Sequence, residues 1–124
     1  MTIDDQMFTT FSFGENIRVV KPLSECRIST DLTLRNAVSE THPGRYVLLD
    51  MTDCGFMTRE DAIELAEICK KANGSYANVI VLNPNLYTTR LFTSVQAERV
   101  IPLYSSLRAA KAAEVGLRNL EYQV

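Results

Sequence analysis

Two apolar segments on either side of an amphipathic segment constrain the fold of this chain more than any other feature. Residues 46–51 and 79–82 are continuous apolar runs rather than alternating ones, which is typical of strands buried on both faces of a sheet. Between them, apolar residues recur at helical spacing from Thr58 onward. Because parallel strands need a long crossover connection, usually a helix, this order predicts a parallel sheet with residues 46–51 near its middle.

The remaining segments continue the same alternation of strands and helices. Further strands are predicted near the start of the chain, around Phe8, Phe11 and Phe13, and over residues 17–21 and 99–104. Helices are predicted to begin at the capping residues 29–31, at 58, at 83–84 and at 105–106. Pro102 lacks a backbone donor, so the strand that contains it is expected at an edge of the sheet. Asn83 is expected to cap the third helix. The sequence therefore predicts an α/β fold, and 124 residues with 46% hydrophobic content suit one domain, residues 1–124.

Charge and composition argue against several classes of function. The net charge of -2 leaves no basic surface to neutralise phosphates, so nucleic-acid binding is not expected. No apolar run reaches the roughly 18 residues of a membrane span, and the acidic start is unlike a secretion signal, so we expect a cytoplasmic protein without membrane contact. Cys26, Cys54 and Cys69 have neither disulfide-framework nor zinc-site spacing, and we interpret them as reduced packing residues.

No set of residues forms a recognisable catalytic constellation. The single histidine, His42, lies in a loop with Pro and Gly, and no nucleophile or metal ligand is spaced from it. No glycine-rich phosphate loop follows either apolar strand, so no cofactor is predicted. Asp50 and Asp53 leave one alternative, an acidic metal pocket like that of response-regulator receivers, but no companion acidic pair follows the first strand. A non-enzymatic protein is expected.

The most distinctive segment is residues 50–62, where the central strand passes through a loop into the long helix. The start of a helix exposes free backbone N–H groups and the positive end of the helix dipole. It can therefore bind an anion, and a phosphate added there has a large effect. The spacing of Thr58 and Asp61 also predicts a capping box.

This segment and the strands that follow it resemble the STAS domain, the family of bacterial anti-sigma factor antagonists and of related sulfate-transporter and stressosome domains. Residues 46–57 resemble the central strand of the family, with Asp50 at its usual acidic position. Residues 79–92 are similar to the next strand and helix, and residues 99–110 to the last strand and the start of the last helix. The resemblance implies a STAS-like mixed, largely parallel β-sheet with about four helices.

The phosphorylation motif departs from the family pattern. Where the family carries Asp-Ser-Ser/Thr-Gly, this chain has Thr58, Arg59, Glu60 and Asp61. Arg59 therefore stands at the serine that a partner kinase phosphorylates, and the resemblance implies that the usual switch cannot operate there. Any phosphorylation is expected on Thr58 or another hydroxyl, against the repulsion of the acidic neighbours.

The residues and the resemblance together predict a signalling module that binds an anti-sigma factor of the serine kinase class or another STAS-domain protein. The expected partner-binding surface consists of Thr58, Arg59, Glu60, Asp61 and Asp53. Arg59 is expected to hold the module in a permanently active state, although Glu60 and Asp61 leave open an imitation of the phosphorylated, non-binding form. The alternative function is a stressosome-like scaffold subunit that oligomerises, for example as a homodimer, without switching.

Overall fold

A five-stranded sheet forms the centre of the fold, with a two-stranded sheet beside it. The computed structural model describes residues 8–28, 32–39, 45–73 and 77–121. In these residues the strands are β1 (Phe8–Phe13), β2 (Ile17–Pro22), β3 (Ser24–Cys26), β4 (Tyr46–Asp50), β5 (Cys54–Met57), β6 (Asn78–Leu82) and β7 (Leu103–Tyr104). The larger sheet has the order β1-β2-β4-β6-β7, and the smaller one pairs β3 with β5.

The larger sheet is mixed, and most of its pairings are parallel. β1 and β2 form an antiparallel pair, in which Phe13 lies opposite Ile17. β2, β4, β6 and β7 are parallel to one another. β4 occupies the middle position, where Leu48 pairs with Val19 on one side and Ile80 on the other. The predicted α/β class, the central strand and the edge position of the strand after Pro102 are confirmed.

Helices cover both faces of this sheet. In the described residues the α-helices are α1 (Thr33–Ser39), α2 (Arg59–Ala72), α3 (Leu86–Ser94) and α4 (Leu107–Ala113), and Ala97–Arg99 and Val115–Leu117 form 3-10 turns. Side chains of α1, α2 and α3 pack on the face that carries Val47 and Leu49. Leu107, Ala110 and Leu117 pack on the opposite face against Leu48. The continuous apolar run of β4 is thus explained, because both faces of the strand are buried.

The small sheet of β3 and β5 corrects the prediction that a loop joins the central strand to the long helix. Its two strands are parallel, and the register shifts between Ser24 and Glu25, where Ser24 has a positive φ of 67°. Three- and four-residue strands are too short for a period-2 pattern to be visible in the sequence. Their pairing joins segments about thirty residues apart, so it becomes apparent only in the folded chain.

The last strand and the last two helices differ from their predicted boundaries. The predicted strand over residues 99–104 shrinks to β7, because residues 97–99 form a 3-10 turn. The side chain of Asn85, not that of Asn83, accepts the hydrogen bond that caps α3. The last helix ends at Ala113, and Leu117 belongs to a separate 3-10 turn.

Some predictions fall outside the described residues. They include His42 and the capping residues 29–31 proposed for the first helix, which begins at Thr33. Within the described part of the chain, no helix has the length and apolar character needed to cross a membrane.

Candidate functional site

The start of α2 is closed by a reciprocal pair of hydrogen bonds. Thr58 has extended backbone geometry at the N-cap, and its hydroxyl oxygen accepts the Asp61 backbone N–H at 3.1 Å. The same hydroxyl donates to Asp61 Oδ2 at 2.6 Å. The predicted capping relationship is confirmed, with the hydroxyl taking the place of the N-cap backbone N–H that a capping box ordinarily uses. Both functions of the Thr58 hydroxyl are occupied.

Residues 58–61, which stand at the family's phosphorylation motif, differ in how far their side chains are exposed. Arg59 and Glu60 are exposed on the first turn of α2, and Thr58 is half-buried. Asp61 is only 3% exposed, so its carboxylate serves the cap rather than the outer surface. Glu60 is therefore the one acidic group of the motif that lies at the protein surface, and Arg59 lies directly beside it in the sequence.

Asp53 lies apart from the helix start, on the side of β3. Its carboxylate is 3.2 Å from the Lys21 ammonium, and its backbone carbonyl accepts the Ser24 N–H at 3.1 Å. Its side chain is about half exposed. Asp53 therefore connects the loop after β4 to the chain that leads into β3.

Asp50, the acidic residue at the end of β4, is buried within a local polar network. Its Oδ1 accepts hydrogen bonds from the Thr52 backbone N–H at 3.0 Å and the Thr52 hydroxyl at 2.6 Å. The Asn83 side chain donates to the same oxygen at 3.3 Å. Asp50 and Asp53 thus have separate partners, and the described residues contain no cluster of three or more potential metal-ligating side chains. The network fixes the turn between β4 and β5.

An exposed apolar surface extends from β5 to the start of α3. Phe56 and Tyr87 stack with their ring centroids 5.8 Å apart, and Leu86 is 64% exposed beside Tyr87 in the chain. We call these three residues the aromatic platform. The Asn85 side chain donates to the carbonyl oxygens of Cys54 and Gly55, which ties α3 to β5.

The aromatic platform is not predictable from the sequence. Phe56 and Tyr87 are 31 positions apart, and each is an ordinary apolar residue within its own segment. What joins them is the placement of α3 against β5, which depends on the whole α/β arrangement. The one local signal is Phe56, a large aromatic residue two positions before the helix cap at Thr58.

The fold has close counterparts among solved structures. A crystal structure of the Thermotoga maritima protein TM1081, a candidate anti-sigma factor antagonist, superimposes with a TM-score of 0.68 at 15% identity, and covers 87% of this chain and 94% of that one. An NMR structure of TM1081 gives a TM-score of 0.69 at 15% identity, with coverage of 97% and 95%. An anti-sigma factor antagonist from Mycobacterium paratuberculosis gives 0.66 at 20% identity, with coverage of 91% and 97%.

The chain has the STAS fold. Its counterparts extend over nearly the whole chain and nearly the whole of each matched protein, so the likeness concerns the complete domain. No family model matches the sequence, and no curated protein matches it. The STAS fold is therefore established by the arrangement of strands and helices, while the role of Arg59 and its neighbours rests on their own geometry.

Proposed function

We propose that this STAS domain is a non-enzymatic partner-switching protein that binds an anti-sigma factor of the serine kinase class. The observation that carries the proposal is a continuous segment, residues 56–60, that leads from the aromatic platform to the exposed charges of Arg59 and Glu60 at the start of α2. Aromatic side chains beside charged ones are typical of protein-binding surfaces, in which apolar anchors give affinity and charges select the partner.

The proposal assigns different roles to the five residues expected from the sequence. Arg59 and Glu60 contact the partner, whereas Thr58 and Asp61 hold the helix start in place through their hydrogen bonds. Asp53 positions the loop through Lys21 and lies at the margin of the surface.

Arg59 keeps the proposed binding surface in its active, unphosphorylated-like state. An arginine cannot accept a phosphate, so the usual site of regulation is absent. The burial of Asp61 favours this state over imitation of the phosphorylated form, because only Glu60 adds a surface carboxylate and Arg59 partly cancels its field.

A charge reversal tests the proposed surface. Affinity for anti-sigma factor kinases of the source organism is measured by titration calorimetry with the native protein and with Glu60→Lys. We expect about a tenfold loss of affinity, equivalent to about 1.4 kcal/mol. Glu67→Lys is the matched control, since Glu67 is also exposed on α2 but lies two turns further along. An equal loss for both variants would place the interface elsewhere.

The regulatory part of the proposal has a separate test. The native protein and Arg59→Ser are incubated with the kinase and ATP, and binding is followed over time. We expect the native protein to stay bound, and Arg59→Ser to bind, become phosphorylated and dissociate. If the native protein never binds while Arg59→Ser does, the motif imitates the phosphorylated form. If neither binds, the scaffold function takes precedence, and light scattering then reports whether the domain oligomerises.

A further inference from the structure

A small pocket lies beside the turn between β1 and β2, at the end of the sheet where β4 begins. Its walls include the turn itself, residues 14–16, together with Ser12, Arg18, Arg45 and Tyr46. β4 runs from Tyr46 to Asp50, a rise of about 13 Å along the strand, and the loop that leads to α2 follows Asp50. The pocket is therefore at the opposite end of β4 from the start of α2.

The strand register places two arginines of this pocket on the same face of the sheet. Ser12 lies opposite Arg18 in the antiparallel pair, and Arg18 lies opposite Val47 in the parallel pair. Residues that lie opposite each other on neighbouring strands share a face. Arg45 is two positions before Val47, and its carbonyl oxygen accepts the Asn78 N–H at 2.8 Å, so it continues the strand on that face. Arg18 and Arg45 are thus diagonal neighbours, at a spacing that long side chains can bridge.

The pocket carries more positive than negative charge. Arg18 and Arg45 contribute two guanidinium groups, and among the described residues that line the pocket Glu15 is the one with a carboxylate. Arg45 makes no side-chain hydrogen bond or ion pair with another residue in the described part of the chain. Because an arginine stays charged at any ordinary pH, the Arg45 guanidinium can bind an anion without first losing a carboxylate partner.

The volume of the pocket suits a phosphate group. It is about 110 Å³. A water molecule occupies about 30 Å³ in the liquid, so the space equals that of about three or four waters. Pockets that enclose whole small-molecule ligands are larger, from about 300 Å³ upward. A guanidinium donates paired hydrogen bonds to phosphate oxygens, and the hydroxyl of Ser12 offers a further donor.

We propose that this pocket binds the phosphate group of a small molecule through Arg18 and Arg45. The ligand is free phosphate, or a small phosphate ester whose remainder extends into solvent. The net charge of -2 argues against a broad phosphate-binding surface but is compatible with one local pair of arginines. The two arginines are 27 positions apart in the sequence, so only the fold brings them together. The site does not depend on the proposed partner-switching function.

An NMR titration of the full-length chain with inorganic phosphate tests the site. The protein is isotope-labelled, and amide chemical shifts are followed at constant pH and ionic strength. We expect saturable shifts centred on residues 12–18 and 45–46, and none at the start of α2. A parallel titration with glycerol phosphate distinguishes the two sources of the group. Tighter binding of the ester identifies an ester ligand, weaker binding identifies free phosphate, and either result supports the site.

Two arginine variants and a matched control separate the site from a general effect of charge. Arg45→Ala should weaken phosphate binding by about tenfold or more, because a charged, paired contact is lost. Arg18→Lys should weaken it as well, since a lysine keeps the charge but not the fork of donors. Arg90→Ala removes the same charge from an exposed position on α3 and should leave the affinity unchanged. Circular dichroism confirms that each variant is folded.

Glu15→Gln gives a prediction of the opposite sign. It removes the carboxylate that opposes an anion, so phosphate should bind about two to five times more tightly. Glu15 is exposed in the turn between β1 and β2, and damage to the fold would not produce a gain in affinity. If Arg45→Ala fails to fold, this variant alone decides, and unchanged or weaker binding then overturns the site.

Three further outcomes would overturn the phosphate site. One is a set of shifts that grows in proportion to the phosphate concentration without saturating. Another is saturable binding that is centred elsewhere on the chain. A third is an equal loss of affinity in Arg45→Ala and Arg90→Ala. None of these outcomes bears on binding by Arg59 and Glu60, so the two proposals fail independently.

Discussion

Gly116 lies against the ring of Tyr46, and no larger residue fits there. A Cβ at this position would overlap Tyr46 Cε2 and lie 3.2 Å from Cζ. The ring cannot easily turn aside, since its hydroxyl donates to Glu114 at 3.1 Å. We expect Gly116→Ala to lower the free energy of unfolding by about 1 to 3 kcal/mol, as overpacking does in other cores. Urea denaturation measures the change.

Gly55→Ala is the matched control for this prediction. At Gly55 the nearest atom to an added Cβ is the Ser24 carbonyl oxygen at 3.7 Å, an ordinary van der Waals distance. This variant should unfold within about 0.5 kcal/mol of the native chain. Equal destabilisation by both substitutions would show that the loss of glycine, and not the contact with Tyr46, is responsible.

Thr58 is the second residue whose contribution can be measured alone. Thr58→Val keeps the shape of the side chain but removes the hydroxyl that accepts from the Asp61 N–H and donates to its carboxylate. Loss of a helix cap lowers stability by about 1 kcal/mol, and the buried Asp61 carboxylate loses a donor as well. Thr93→Val, at an exposed position in α3, is the control and should change stability little. If both variants unfold alike, the cap contributes nothing.

The residues whose roles are predictable from the sequence are those that interact with near neighbours in the chain. The cap at Thr58 follows from the residue types at positions 58 and 61, which interact across a single turn. The burial of Asp61 could not be predicted in the same way, because it depends on what packs over the helix start. A contact between near neighbours can be predicted from the sequence, whereas the exposure of a side chain depends on the whole fold.

At the scale of elements, Glu114 connects the end of α4 to two strands. It forms the C-cap of α4, and its carboxylate accepts from the Tyr46 hydroxyl of β4 and, at 2.6 Å, from the Tyr104 hydroxyl of β7. The hydrogen bond to Glu114 and partial burial raise the pKa of Tyr104 to about 12. Burial and the same carboxylate raise the pKa of Tyr46.

The hydrogen bonds of Tyr46 and Tyr104 to Glu114 predict a loss of stability at high pH. The neutral tyrosines are favoured in the folded chain, so their contribution is complete below the ordinary pKa of 10.0 and disappears as the pH rises towards about 12. The free energy of unfolding should therefore fall over this interval. Glu114→Gln removes the carboxylate charge, so the free energy of unfolding of this variant should decrease less steeply with pH. Urea denaturation at several values of pH measures both proteins. Identical slopes for both proteins would contradict the role of Glu114.

Elements with a strong internal pattern were predictable, and those defined by distant pairing were not. α2 has a complete apolar face with acidic residues in its first turn and lysines in its last, all visible in the sequence. β3 and β5 are short and irregular, and they become strands because each supplies hydrogen bonds to the other. The aromatic platform depends on β5, so it could not be predicted before the fold was known.

At the scale of the whole molecule, the coverage of both faces of the sheet can be tested with one substitution on each face of β4. Leu48 packs towards α4 and Leu49 towards the three other helices, and both are completely buried. Leu48→Ala and Leu49→Ala should each lower the free energy of unfolding by about 2 to 5 kcal/mol. A sheet covered on one side only would give one large and one small effect. Guanidinium denaturation of the two variants distinguishes these results.

The register of the central strand has a consequence for the way the chain is made. Tyr46 of β4 pairs with Asn78 of β6, 32 positions later in the sequence. At a synthesis rate of about 5 to 20 residues per second, roughly 2 to 6 s pass between the two on the ribosome. During that interval β4, whose last four residues are buried in the folded chain, has one open edge and incompletely covered faces. The nascent chain is thus most vulnerable to aggregation before β6 emerges, and a chaperone that shields β4 would act within those few seconds.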